Sequence, residues 1–214
     1  MKKDFFIALF ELLETDQPVL LATIISQHGS SPRGTGTHMA LTRDGHQIGT
    51  IGGGRLEAIL QERFNELIAF KTSTILNFIL SEDEAANLEM ICGGSISILV
   101  DPILPENGEL FSLYNQIKQT IVTQKQGWLI SQLHSKDVDL TPLKCFITPE
   151  KEISGTWLPE VVFTERIPEK LNFEEVEIQL TNIDLKLAQI ITKDQHRLFL
   201  EPIGQHSTVY IVGA

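Results

Sequence analysis

The sequence predicts an α/β protein with a mixed sheet and flanking helices. Two observations support this class. Through the first 125 residues, segments with helical apolar spacing alternate with short apolar segments of strand length, and glycine-rich stretches stand between them. At 214 residues, with 42% hydrophobic and 21% charged side chains, the chain is long enough for one sizeable domain or two small ones.

Three segments carry an apolar stripe at helical spacing. The first stops before Pro18, which cannot continue a helix. The second begins directly behind the triple glycine Gly52-Gly53-Gly54, so a strand-to-helix junction is expected there. The predicted helices are residues 3–15, 56–68 and 110–123.

The other patterned segments have strand length. Two of them flank Asp44-Gly45, a strong hairpin signal because glycine adopts a positive φ without strain. The acidic stretch 81–84 is predicted to be a loop, residues 149–182 show little pattern, and residues 183–191 fit a strand or a helix. The predicted strands are residues 19–26, 39–43, 46–51, 74–80, 95–102, 127–134, 143–148, 174–180, 197–202 and 208–213.

Composition excludes several classes of function. Seventeen basic against 28 acidic side chains give a net charge of -11, which disfavours nucleic acid as a partner. No segment reaches the roughly 18 apolar residues of a membrane span, and the first residues do not have the pattern of a signal peptide, so we expect a cytoplasmic protein. Cys92 and Cys145 lie far apart and the six histidines are scattered, so neither a disulfide framework nor a metal site is expected.

The stretch from residue 27 to residue 60 is unusually rich in glycine. A helix N-terminus behind Gly52-Gly53-Gly54 offers backbone N–H groups and a partial positive charge to a phosphate or carboxylate, and Arg33 with neighbouring hydroxyls adds donors. The alternative is that the glycines form only a tight turn. Glu57 is a helix-capping residue on one interpretation and a catalytic base on the other.

A second glycine cluster contains a cysteine. Cys92 precedes Gly93 and Gly94, which leave its thiol little steric cover, so a reactive thiol is one interpretation. The other is a small buried hydrophobic residue, which we also expect for Cys145 inside its apolar strand. His38 lies near the glycine stretch but is expected to be structural.

Three blocks of the sequence together resemble a known family. They are "GSSPRGTGTHMALTRDGHQIGTIGGGRLEAIL", the "CGG" that begins at Cys92, and "LFLEPI" followed by "VYIVGA". In this order they resemble the XdhC/CoxI family of accessory proteins for xanthine dehydrogenase and carbon monoxide dehydrogenase. Where many relatives carry cysteine or another residue after the triple glycine, this chain has Arg55, which would reinforce anion binding.

The resemblance implies a maturation factor without turnover of its own. Such proteins are taken to bind molybdenum cofactor (molybdopterin), to protect or promote its sulfurated form and to deliver it to a molybdenum hydroxylase. A cysteine desulfurase and a second copy of the chain are further partners in this interpretation. The residues expected to bind the cofactor are Ser30, Ser31, Arg33, Gly34, Gly36, Gly52, Gly53, Gly54, Glu57, Cys92, Gly93 and Gly94.

The end of the sequence departs from the family pattern. Relatives continue from a strand like "VYIVGA" into a Rossmann-type domain, whereas this sequence stops at Ala214. We therefore expect a glycine-loop domain at 1–125, a connecting region at 126–206, and the first strand of an absent or truncated Rossmann-type domain at 207–214. Two alternatives remain open: the front part of an NAD(P)-dependent oxidoreductase, and an interaction domain without a cofactor.

Overall fold

The computed structural model describes residues 2–29, 33–80, 94–133, 143–150, 152–156, 161–164, 167–173, 176–179, 187–193 and 196–204. The helices in these ranges are α1 (Lys2–Leu13), α2 (Gly54–Glu62), α3 (Phe64–Phe70) and α4 (Gly108–Val122). The strands are β1 (Val19–His28), β2 (His38–Thr42), β3 (Gln47–Gly49), β4 (Thr74–Leu80), β5 (Gly94–Ile103), β6 (Gln126–Leu133), β7 (Lys144–Ile147), β8 (Ile153–Gly155), β9 (Val161–Thr164), β10 (Ile167–Phe173), β11 (Val176–Gln179), β12 (Gln189–Lys193) and β13 (His196–Gly204).

The strands form three sheets. The first has the order β3-β2-β1-β5-β4, the second has the order β12-β13-β6-β7-β8, and the smaller third sheet has the order β11-β10-β9. The central strand β1 pairs with β2 and with β5, so that Thr23 lies opposite His38 and Leu21 lies opposite Asp101. Within the described ranges, none of the helices has the length and apolar character needed to cross a membrane.

The combination of helices and strands confirms the α/β class. The expectation of a mixed sheet is wrong for the described residues, because every strand pairing among them is antiparallel. The helical connections do not join neighbouring parallel strands. Instead α2 and α3 link β3 to β4 at opposite edges of the first sheet, and α4 leads from the first sheet into the second.

Both faces of the first sheet are buried, which explains why β1 is a continuous apolar run. Leu20 and Ala22 on one face pack in a cluster with the apolar residues of α2 and α3. Val19 and Leu21 on the other face pack in a cluster with residues of α1, α4 and the second sheet. The two sheets thus share apolar packing, while the division into 1–125 and 126–206 stays a prediction.

Ionisable side chains also join the two sheets. His38 Nε2 lies 2.6 Å from Glu201 Oε1, and Lys144 Nζ lies 2.8 Å from Asp101 Oδ2. All four side chains are buried. Burial, followed by the charges of Asp101 and Glu201, raises the pKa of Tyr114 on α4 well above its ordinary value. The space between the sheets is therefore partly ionic, which the sequence patterns did not indicate.

Two other features differ from the sequence-based expectation. The predicted helix 56–68 is divided at Arg63 into α2 and α3, with Arg63 serving as the C-cap of one and the N-cap of the next. The weakly patterned region contains β8, β9 and β10 in addition to the expected β11. Of the ambiguous segment 183–191, residues 189–191 belong to strand β12. The predicted loop at 81–84 and the predicted strand at 208–213 lie outside the described residues.

Candidate functional site

The triple glycine forms the junction between β3 and α2, as expected. Gly52, Gly53 and Gly54 all have positive φ, at 128°, 81° and 60°. Gly53 is the N-cap of α2 with ψ of -170°, a combination that residues with a side chain essentially do not adopt. The loop conformation therefore depends on glycine at this position.

Glu57, in the first turn of α2, folds back onto this loop. It follows the N-cap by four residues, about one helical turn, so its carboxylate returns to the backbone that precedes the helix. The carboxylate accepts hydrogen bonds at Oε1 from Thr50 Oγ1 (2.6 Å), Gly53 N (2.8 Å) and Ile51 N (3.1 Å), and at Oε2 from Gln47 Nε2 (2.8 Å).

The remaining amide of the loop is also engaged. The Gly52 N–H donates to the Thr50 hydroxyl at 3.2 Å, and that hydroxyl donates in turn to Glu57. Amides 51, 52 and 53 are thus all directed, directly or through Thr50, at one carboxylate. The prediction that this loop contacts a cofactor phosphate stays a prediction, but in this conformation these three amides already have partners.

The environment of Glu57 favours its ionised form. Burial of the carboxylate acts to raise its pKa, but the hydrogen bonds from Thr50, Gln47 and the loop amides outweigh burial and hold the pKa of Glu57 below its ordinary value. Glu57 is therefore a carboxylate at neutral pH, and its geometry is that of a residue that caps its helix and fixes the loop.

Other glycines serve close packing. A Cβ at Gly49 would lie 2.5 Å from the carbonyl oxygen of His38, and a Cβ at Gly94 would lie 2.4 Å from the carbonyl oxygen of His28. By contrast, a Cβ at Gly53 or at Gly34 would meet no heavy atom within 4 Å. Space above the loop is therefore open at Gly53, where an approaching molecule would meet bare backbone.

The topology places three of the predicted segments at one end of the first sheet. The segment 33–37 leads into β2, and the loop 50–53 leaves β3 where Gly49 lies opposite Met39 at the start of β2. Gly94 begins β5 at the same end, since Ser95 lies opposite the end of β1. Gly36 in the first segment is buried and has φ of 75°, and its amide donates to the carbonyl oxygen of Ile24 at 2.7 Å.

Four of the predicted site residues, Ser30, Ser31, Cys92 and Gly93, lie outside the described residues. Arg33 is partly exposed and Arg55 is exposed at the start of α2. Among the described side chains, no group of three or more His, Cys, Asp or Glu residues is arranged to hold a metal ion. The sequence analysis missed Gln47 and Thr50, although Thr50 stands two residues before Gly52 and its hydroxyl could have been expected to cap such a turn.

His38 and Cys145 have the structural character expected of them. His38 Nδ1 lies 3.0 Å from Thr23 Oγ1 and its Nε2 contacts Glu201, while the ring of Phe5 stacks on it with centroids 5.1 Å apart. All three side chains of this hydroxyl–imidazole–carboxylate series are buried. Burial raises the pKa of the Cys145 thiol far above its ordinary value, which makes the thiol unreactive.

Comparison with known proteins adds independent evidence. The model of the XdhC and CoxI family matches residues 12–78, a segment that contains the whole glycine loop. A probable xanthine dehydrogenase subunit from Bacillus subtilis (strain 168) is 31% identical over 105 residues, which are 48% of this chain and 32% of that protein. The uncharacterized protein YqeB from Escherichia coli (strain K12) is 27% identical over 97 residues, which are 45% of this chain and 18% of that protein.

A solved structure has the same fold. The crystal structure of a xanthine dehydrogenase from Bacillus halodurans superimposes with a TM-score of 0.66 at 24% identity, over 93% of this chain and 52% of that chain. The chain thus spans about half of that structure, and its matches span about a third or less of the two curated relatives. The matches confirm the resemblance that the sequence indicated: residues 12–78, with the glycine loop and Glu57, carry the pattern of the XdhC and CoxI family.

Proposed function

We propose that this chain belongs to an accessory protein for the maturation of a molybdenum hydroxylase of the xanthine dehydrogenase or carbon monoxide dehydrogenase type. In this role it binds molybdenum cofactor and delivers it, or protects its sulfurated form, for the target enzyme. The family match over residues 12–78 and the similarity to the probable xanthine dehydrogenase subunit of Bacillus subtilis support this role.

The observation that carries the proposal is the open backbone at Gly53. The N-cap of the nine-residue helix α2 is Gly53 in a glycine-only conformation, so no N-cap side chain accepts from the amides of the first turn. No heavy atom would lie within 4 Å of a Cβ at Gly53. A helix N-terminus of this kind suits the phosphate group of the cofactor. The exposed Arg55 and the partly exposed Arg33 would add positive charge.

Three amides of the loop already have acceptors within the chain, which limits how a phosphate could bind. Amides 51–53 donate within the loop, so the phosphate would be held by the first turn of α2 and by the arginines and not by these three amides. When bound, the cofactor supplies the molybdenum and its transferable sulfur. The contribution of this chain is to bind the phosphate end and to keep the loop fixed.

The test is a titration with molybdenum cofactor released from a molybdenum enzyme. Gly53→Val should abolish binding, because the side chain fills the open space and the backbone resists the required φ. Gly45→Val is the matched control: Gly45 also has a positive φ, of 86°, and open space around a Cβ, but it lies in the hairpin turn. Arg33→Ala should weaken binding by about 1.5 to 3 kcal/mol, the value of a charge-assisted contact.

Loss of cofactor binding in Gly53→Val but not in Gly45→Val, with both variants folded by circular dichroism, supports the proposal. Wild-type affinity in a folded Gly53→Val variant contradicts it, and so does an equal loss in Gly45→Val. Absence of any binding by the wild-type protein favours an interaction domain whose glycines serve turns only.

The role of a thiol is tested separately. If Cys92 contacts the metal or the transferable sulfur, Cys92→Ser should reduce cofactor retention or activation of the target enzyme, because a hydroxyl is a poorer soft ligand. Cys145→Ser is the control, since that side chain is fully buried and should act only through stability. Equal retention and activation in wild type and Cys92→Ser would make Cys92 a structural residue.

A further inference from the structure

The glycine loop has the geometry of an anion site whose anion is part of the chain. Successive backbone amides that turn toward one point form a concave site for negative charge. Here the amides of Ile51 and Gly53 donate to one oxygen of Glu57, and the Gly52 amide reaches the same carboxylate through the Thr50 hydroxyl. The concave side of the loop is therefore filled by the protein itself.

Several contacts hold the carboxylate in this position. Its second oxygen accepts from Gln47 Nε2, which also donates to the carbonyl oxygen of Gly49 at 3.2 Å. Glu57 thus connects the edge strand β3, the loop and helix α2. Hydrogen bonds to an ionised acceptor are about twice as strong as neutral ones, so a ligand would have to replace four of them to displace the carboxylate.

The open side of the loop, along the Cβ direction of Gly53, is not the side that the Glu57 carboxylate occupies. Glu57 Oε1 lies 2.8 Å from the Gly53 nitrogen, yet none of its atoms comes within 4 Å of a Cβ built on Gly53. A molecule that approaches Gly53 along the Cβ direction does not meet Glu57. The carboxylate and a ligand can therefore occupy the loop at the same time.

We propose that Glu57 is a positioning residue: its carboxylate serves as an internal anion that holds residues 50–53 in one conformation before any ligand arrives and remains in place when a ligand binds. The part concerning the ligand rests on the proposed function. The part concerning the loop does not, because it follows from the contacts of the chain alone.

The first experiment needs no ligand. Hydrogen exchange of the amides at 51 and 53 is measured by NMR in the wild type, Glu57→Ala, Glu57→Gln and Glu62→Ala, the last being the matched control because Glu62 is an exposed glutamate on the same helix. Glu57→Ala should exchange roughly tenfold faster at both amides. Glu57→Gln should be intermediate because its amide oxygen still accepts, and Glu62→Ala should match the wild type.

Added formate provides a sharper readout, because a small carboxylate can enter the space left by the truncated side chain. Formate should slow exchange at 51 and 53 in Glu57→Ala and leave the wild type unchanged. Unchanged exchange in folded Glu57→Ala overturns the proposal. If Glu57→Ala does not fold, the comparison of Glu57→Gln with Glu62→Gln decides the same question.

The second experiment adds inorganic phosphate, and then molybdenum cofactor, to the same variants. A positioning role predicts that exchange at 51 and 53 in the wild type is the same with and without ligand, and that Glu57→Ala binds more weakly. Tighter binding by Glu57→Ala would mean that the carboxylate competes with the ligand, and the proposal would be wrong. If the wild type binds neither probe, the proposed function fails, while the ligand-free exchange still decides the role of Glu57.

Discussion

Removal of the positive partner from the buried Lys144–Asp101 pair is expected to destabilise the whole fold. Lys144 on β7 contacts Asp101 on β5 at 2.8 Å and donates to Ser131 Oγ at 2.7 Å, and Asp101 also accepts from Ser73 Oγ at 2.5 Å. Lys144→Met preserves most of the aliphatic packing but removes the charge. Because the pair joins the first sheet to the second, its loss acts on both sheets together.

The magnitude follows from the burial of both side chains, whose exposed fractions are 3% for Lys144 and 0% for Asp101. At 2.8 Å, the gross attraction is on the order of 6 kcal/mol for an effective dielectric constant of about 20. Desolvation of the two ions cancels much of this gain, so the intact pair adds little net stability. Removal of the Lys144 ammonium leaves the Asp101 carboxylate buried without its cation, which costs about 3 to 5 kcal/mol.

The assay is the free energy of unfolding from urea titration at pH 7, for Lys144→Met, Asp101→Asn and the double variant. Each single variant should lose several kcal/mol, and the double variant should recover a large part of the loss, because it leaves no unpaired charge. Lys125→Met is the control, since the Nζ of this exposed lysine lies 3.9 Å from Glu150 and a surface pair contributes about 0 to 1 kcal/mol. A loss below about 1 kcal/mol in Lys144→Met, or strict additivity in the double variant, would refute the reasoning.

Three further predictions concern single positions. Gly49→Ala should lower the free energy of unfolding by about 2 kcal/mol or more, because the φ of Gly49 is 70° and a Cβ would lie 2.5 Å from a carbonyl oxygen. Gly34→Ala is the control: a Cβ there meets open space, so the same urea assay should show a change of less than about 0.5 kcal/mol. The folded-state pKa of Glu57 lies below the ordinary value of 4.5, so its stabilising contribution is present above pH 4.5 and is lost as the pH falls through the folded-state pKa. Between pH 6 and pH 3, Glu57→Gln should therefore lose less stability than the wild type. In a Cys92→Ser background, a maleimide should label Cys145 slowly in the native protein and rapidly in urea, since burial raises the pKa of its thiol; rapid native labelling would contradict this burial.

The elements of the first half could be predicted because local patterns determine them. The hairpin at Asp44-Gly45, the strand Thr74–Leu80 and the junction behind Gly52 each depend on residues adjacent in sequence. The second half was predicted less completely. The strands Ile153–Gly155 and Gln189–Lys193 are short and carry weak patterns. The assignment of Gln189–Lys193 depends on the sheet that it joins, because its partner strand β13 also pairs with β6, where Phe199 lies opposite Ser131 in a distant part of the chain.

The site was predicted only in part for a related reason. The glycines could be found because their conformational freedom is a local property, and the structure confirms positive φ at all three positions of the triple glycine. Partners could not be found in the same way. No sequence pattern pairs His38 with Glu201, 163 residues away, and none indicates that Gln47 on a neighbouring strand reaches the carboxylate of Glu57.

The spacing of the triple glycine and Glu57 acquires a single explanation from the geometry. Positive φ at three successive glycines turns the backbone so that its amides converge, and a carboxylate one helical turn beyond Gly53 meets them. Neither part works alone, because a loop with side chains could not adopt the turn, and without Glu57 the converging amides would lack their acceptor. The glycine run and Glu57 therefore depend on each other to form the loop conformation, and substitutions at Gly53 and Glu57 should be non-additive in the free energy of unfolding.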